Sequence, residues 1–181
     1  MSKLISNWLG RWSICIAFGL IATLMFTVLV PNGVADVTQN RTVVPRILDE
    51  YYLTWTAGDA RHLYEVLGAT GRAAYQNYYL KLDFWFPVLS LTIFYAALLS
   101  LAFPQGRRWS WLNLLPIPMY FSDMFENLNH FMMAGSYPDL PPLQLTMGPS
   151  LSLIKYLLIT GLPVIALVGF AKNRGKKEQA Q

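Results

Sequence analysis

Apolar residues gather into four long runs along the chain: Ile14 to Val30, Phe84 to Phe103, Trp111 to Ala134 and Leu151 to Phe170. Each approaches the ~20 residues that an α-helix needs to cross the hydrocarbon of a bilayer. No water is available there to bond backbone N–H and C=O groups, so the runs predict helices. The predicted fold class is all-α membrane, a single domain with four transmembrane helices at about residues 12–31, 83–103, 111–134 and 149–171. A small helical extramembrane cap, at about residues 33–81, lies between the first and second helices.

The first run is longer than a usual signal-peptide core. Although Gly33-Val34-Ala35 loosely resembles a cleavage site, it reads as an uncleaved helix that stops at Pro31-Asn32-Gly33. The cap that follows is rich in Tyr and Trp, which suit a headgroup-level position. Within it, Val43 to Trp55 predicts a helix, with Pro45 in the first turn. Asp59 predicts an N-cap for Ala60 to Leu67, and Gly68 a stop. Thr70 predicts the start of a further helix running through Tyr75 into the second crossing. Pro87 lies in the first turns of that crossing, and Ser90, Thr92 and Tyr95 give it a mildly polar side. Pro116 and Pro118 predict a bend early in the third helix. The four prolines between Ser136 and Ser150 predict an extended, ordered loop.

One stretch breaks the apolar pattern. Tyr120 to Met133 lies inside a run long enough to span, yet carries Asp123, Glu126, Asn127, Asn129 and His130. Ionisable groups at membrane depth cost about 2.5–3.5 kcal/mol each on insertion scales, so they face a protein interior or a wet cavity. With Asp123 as zero on a helix, Glu126 falls near ~300°, Asn127 near ~40° and His130 near ~340°. These four share one stripe, while Phe121, Met124, Phe125, Leu128 and Met132 cover the rest. Lys155 sits about eight residues into the fourth helix if that helix starts near Met147, level with Glu126 on an antiparallel neighbour. An intramembrane Lys needs a partner, and Glu126 or Asp123 is the obvious one. His130 is expected nearer the outer surface, close to Asp83.

Composition and charge narrow the classes. Only 13% of the 181 residues are charged and 54% are apolar, against about 25% charged in soluble domains. The net charge of +4 gathers at the membrane flanks, so no nucleic-acid partner is indicated. Lys3 and Arg11, Arg107 and Arg108, and Lys172, Arg174, Lys176 and Lys177 share one side if there are four crossings. The positive-inside rule then places both termini in the cytoplasm of a multi-pass inner (plasma) membrane protein. Cys15 is the only cysteine, which excludes an internal disulfide and a cysteine-built metal site. No cofactor or metal is expected. A di-iron bundle needs Glu-x-x-His on two helices, His62 is the only other histidine, and no His-Glu-x-x-His occurs.

The candidate site is a polar pocket in the outer half of the bundle. Asp123, Glu126, His130 and Lys155 are its candidate catalytic residues, and Asp83, Asn127, Ser90, Tyr95 and Tyr156 its candidate ligand-binding residues. Three readings share these residues. In the first, the pocket binds a membrane lipid or small amphiphile, with acid–base chemistry at Glu126 or Asp123 charge-balanced by Lys155 as one form of it. In the second, the stripe locks helices together or meets a partner membrane subunit. In the third, a proton- or ion-coupled carrier needs a homo-oligomer at four helices. Gly71-Arg72-x-x-Tyr75, Leu82-Asp83-x-x-Phe86-Pro87 and Asp123-x-x-Glu126-Asn127, with the Lys155 helix, resemble an uncharacterised family of small bacterial four-helix integral membrane proteins. That resemblance covers roughly residues 68–170; it implies the architecture and no known activity. A looser likeness to the four-helix sterol-isomerase and sigma-2-like family lacks the matching motif spacing.

Overall fold

The computed structural model describes residues 11–38, 46–51, 53–80, 86–104, 106 and 108–178. Among these residues every regular element is helical. Two helices, Trp12–Thr38 and Pro142–Asn173, are long and apolar enough to cross a membrane, and Pro87–Ala102 is a shorter apolar helix.

Helix α1 (Trp12–Leu24) leaves Ile16, Leu20 and Leu24 exposed. It does not end at Pro31-Asn32-Gly33 as the sequence suggests. A π-helical turn over Met25–Leu29 carries the chain directly into α2 (Val30–Thr38). The Val30 N–H bonds to the Met25 carbonyl, five residues back. A proline ring crowds the carbonyl four residues before it and offers no N–H. The wide turn just ahead of Pro31 relieves that crowding and lets the helix continue.

The expected helix from Val43 to Trp55 is not formed by the described part of that stretch. Residues 43–45 lie outside the described residues, and only Leu48–Glu50 makes a 3₁₀ turn. Tyr51 is extended and Leu53 has φ 79°. Burial of Ile47, Leu48 and Trp55 dictates this irregular path, since tertiary contacts override a weak local propensity. Helix α3 (Ala57–Tyr78) starts from Thr56 rather than Asp59. Asp59 donates its N–H to Thr56 Oγ1 (3.2 Å), and its carboxylate accepts the Thr56 N–H (2.7 Å). Asp59 is thus the third residue of a capping box, not the cap. Gly68 breaks helical geometry where a stop was expected, at φ 63° and ψ −174°.

Helix α4 (Phe86–Ala102) follows, then a 3₁₀ turn at Ser110–Leu114 and helix α5 (Pro116–Ser136). The third apolar run is therefore divided, and Pro116 and Pro118 open α5 rather than bend it, because a first-turn proline forfeits no helical bond. Helix α6 (Pro142–Glu178) starts well before residue 149. The segment expected to be an extended loop is helical from Pro142 onward: Pro142 opens the helix for the same first-turn reason, while Pro149 is carried inside it.

Helix α4 packs against α1, α5 and α6; α5 packs against α6; α3 packs against α2 and α5. One apolar cluster joins Tyr95 and Leu99 of α4 to Met119 of α5 and Leu162 and Ala166 of α6. A second joins Trp55, Leu63, Tyr64 and Tyr75 to Met133 of α5. Residues 123–130 of α5 fall between Met119 and Met133, so the polar stripe lies between the two apolar clusters.

Candidate functional site

Helical periodicity places the stripe as the sequence implies. Asp123, Glu126, Asn127 and His130 are buried, while Phe121, Phe125, Leu128 and Met132 point outward. Asn129 is buried too, at the edge of the stripe, and donates to the Gln144 carbonyl (3.1 Å). On α6, Gly148, Ser152 and Lys155 recur every three to four residues on the face that meets α5. Gly148 is required there, because a Cβ would collide with the Trp55 indole and the Asn129 amide.

Lys155 is the hub. Its ammonium pairs with Glu126 Oε2, stands 3.2 Å from Asp49 Oδ1 and 3.4 Å from Asp123 Oδ1. The predicted Lys–carboxylate pairing is therefore present with both Glu126 and Asp123. His130 Nε2 lies 3.5 Å from Glu126 Oε1 and 3.6 Å from Asp49 Oδ1. Ser152 donates to Glu126 Oε1 and accepts from the Trp55 indole N–H (3.1 Å). Asn127 donates to Asp123 Oδ2 (3.1 Å). Trp55, Tyr75 and Tyr79 place their rings 5.6, 6.4 and 5.4 Å from the His130 ring, so three aromatic side chains flank the imidazole.

Asp49 is the central residue that sequence reasoning missed. The irregular segment before α3 carries it into the bundle, where it joins both Lys155 and His130. Tyr79 donates to Asp49 Oδ2 (2.6 Å) and lies 3.0 Å from the Tyr75 hydroxyl. A phenol has one proton, and a carboxylate only accepts, so Tyr79 gives its proton to Asp49 and accepts from Tyr75. Tyr156 donates to the Asp49 carbonyl. Burial alone would push the Asp49 carboxyl up. The Lys155 charge, the contacts with His130 and the Tyr79 bond outweigh burial and hold it well below the usual carboxylate range. On α3, burial and the nearby Asp49 charge raise Tyr64, and burial chiefly raises Tyr75.

A cavity of about 620 Å³ opens beside this network. Phe26, Val30, Pro31 and Val34 from the π turn and α2 form one wall. Val88, Leu91 and Tyr95 of α4 and Met119 of α5 form another. Asp49, Glu50, Asp123, Lys155 and Tyr156 supply its polar end. Of the sequence-predicted residues, Asp123, Lys155, Tyr95 and Tyr156 therefore line the cavity, with Glu126, Asn127 and His130 behind them. Tyr95 spends its proton on the Ile159 carbonyl (3.0 Å). Ser90 is not brought to the site; it donates to the Pro87 carbonyl of its own helix (2.8 Å). Asp83 lies outside the described residues, and the carboxylate found beside His130 is Asp49.

Asp49, Glu126 and His130 each offer a ligand atom within 4.8 Å of the others, a set that can hold a metal ion. Glu126 and His130 sit one turn apart on α5, and Asp49 comes from the segment before α3. Lys155 already compensates Asp49 and Glu126, so a metal would compete with its ammonium for both. Chemically, the assembly offers three carboxylates, one ammonium and one imidazole in contact, with a tyrosine chain leading from Asp49 through Tyr79 to Tyr75 of α3. No known protein family, curated protein or solved structure matches the chain.

Proposed function

We propose that this protein is a four-crossing inner-membrane bundle that binds a lipid or small amphiphile. The apolar tail lies against α2 and α4, and the head group sits at the Asp49–Asp123–Lys155 end. The observation that carries this reading is the 620 Å³ cavity, whose walls are apolar and whose polar residues converge at one end. Ligand sites of this size are mostly apolar with a few placed polar groups. Buried carboxylates in contact with an ammonium and an imidazole suit proton exchange with a bound head group, with Asp123 as the acid–base nearest the cavity and Glu126 and His130 behind it.

The test is native mass spectrometry of the full chain from mild detergent. Wild type is expected to retain a lipid-sized mass, and Leu91→Trp, which fills the cavity without touching the polar network, to lose it while melting normally. A wild-type protein that carries no ligand would sink the reading. A second reading has its own support: Lys155 meets three carboxylates of its own chain, a complete helix-locking arrangement. If the network is only a lock, or the seat of a partner subunit, Glu126→Gln unfolds or sheds a co-purified protein, and Leu91→Trp behaves as wild type.

A further inference from the structure

We infer that a second pocket, at the opposite end of α6 from Ser152 and Lys155, holds the phosphate head group of an anionic phospholipid. The inference rests on the membrane reading but not on the ligand of the first cavity. The pocket has a volume of about 540 Å³ and lies where the end of α4 and the segment before the 3₁₀ turn meet the C-terminal part of α6. Its floor is apolar: Ala102, Phe103 and Gly169. The helices approach closely here, since a Cβ on Gly169 would stand 2.7 Å from the Phe103 ring and 2.9 Å from Ala102.

The rim is cationic and aromatic. Arg108 Cζ lies 5.5 Å and Lys172 Nζ 5.6 Å from the centroid of the same Trp109 ring. The indole thus gathers two cations contributed by segments far apart in sequence. Among the described residues, no acidic side chain lines the pocket and neither cation forms an ion pair. The contrast with Lys155, which has three carboxylates, is direct. Basic pockets between membrane helices on the positive side select anionic lipid head groups. With no acidic partner among the described residues, this pair of cations binds a phosphate, and the apolar floor takes the first carbons of the chains. Phosphatidylethanolamine has the phosphate but brings an ammonium against Arg108 and Lys172. Free inorganic phosphate has the charge but no acyl carbons to lie along the apolar floor.

The experiment uses the full chain in mild detergent with equal amounts of phosphatidylglycerol and phosphatidylethanolamine of matched chains, read by native mass spectrometry. The wild type is expected to retain phosphatidylglycerol at least fivefold over phosphatidylethanolamine, with the preference shrinking as salt rises. R108Q/K172Q is expected to abolish the preference, and R46Q/R61Q, an equal loss of charge from exposed cap positions, to keep it. Millimolar inorganic phosphate is expected to leave the lipid bound. Equal retention of the two lipids by wild type overturns the proposal. So does an equal loss in R46Q/R61Q, or displacement by inorganic phosphate, which would make this a free-anion site. If the double variant does not fold, K172Q alone must at least halve the preference, and an unchanged preference overturns the proposal.

Discussion

Replacing Lys155 by Met removes the one ammonium that three carboxylates share. The side chain is 7% exposed and its partners Asp49, Asp123 and Glu126 are 16%, 12% and 0% exposed, so solvent screens little of what is lost. Breaking a buried pair by deleting one partner costs about 3–5 kcal/mol. For a chain of this size that is on the order of 10 °C in melting temperature. The dependence on pH is a sharper signature than the size. In wild type the Asp49 carboxyl is held below its ordinary value. Its contribution is therefore fully present above the unfolded pKa of about 3.9, and is lost only as pH falls through the lower folded value. In Lys155→Met the largest opposing influence is gone, and burial, the largest influence on Asp49, is expected to outweigh the His130 contacts and the Tyr79 bond that remain and to push the carboxyl above ordinary. The folded variant then binds the extra proton, so its stability falls as pH rises from about 4 through the raised folded value. The assay is thermal unfolding in mild detergent, followed by tryptophan emission from pH 4.5 to 8.5. The deficit of the variant relative to wild type is expected to be smallest at the acid end and to grow toward the alkaline end. Asp49→Asn, added to Lys155→Met, is expected to recover part of the loss and to flatten that growth, because a neutral amide needs no cation. A deficit below about 1 kcal/mol, or one that does not change across the range, would show that the ammonium does not hold the carboxylates as described.

Other substitutions probe the frame that positions this centre. Gly148→Ala drives a methyl into Trp55 and Asn129; a loss of about 1–3 kcal/mol is expected in the same melt, as for overpacked cores. Gly68→Ala places a side chain at φ 63°, ψ −174°, a region essentially reserved for glycine. It should cost about 1–3 kcal/mol, with hydrogen exchange rising through α3. Thr56→Ala removes one half of the capping box and should cost about 1 kcal/mol, seen as faster exchange confined to the first turn of α3.

What the sequence revealed and what it hid follow from the range of the interactions involved. The stripe Asp123–Glu126–Asn127–His130 was readable because four polar residues at helical spacing inside an apolar run admit one geometry. Lys155 was readable because an ammonium inside a long apolar run demands a partner. Asp49 was hidden because its placement depends on an irregular segment: Ile47, Leu48 and Trp55 are buried by packing against α3 and α5, and no periodicity announces that path. Stoichiometry alone did not single it out: His130 needs an acceptor, but Asp83, Asp36, Glu50, Asp59 and Glu65 were carboxylates as available to it as Asp49. Helix ends failed wherever proline was taken as punctuation. Pro31 follows a π turn, and Pro116 and Pro142 open helices, so each sits where its missing N–H is harmless.

The two pockets also constrain each other through α6. Lys172 and Lys155 are 17 residues apart on one helix (172 − 155), which is about 26 Å of rise. The hydrocarbon of a bilayer is about 30 Å thick. On the four-crossing reading, placing the Arg108–Trp109–Lys172 rim at one head-group level therefore puts Lys155 only a few ångströms inside the opposite head-group level. The cap segment that carries Asp49 reaches Lys155 at that depth without entering the hydrocarbon centre. A lipid occupying the first cavity would keep its head near its native depth and its tail alongside Val34 and Leu91, so binding would require lateral movement from the outer leaflet and no flip across the membrane. A carrier would need a polar path from Asp123 toward Arg108. Along that direction, the interface of α4, α5 and α6 is filled by Leu99, Met119, Leu162 and Ala166, all buried and apolar. That barrier favours a one-sided binding site over a conduit, and a spin-labelled lipid should accordingly exchange with the cavity from the leaflet on the cap side alone.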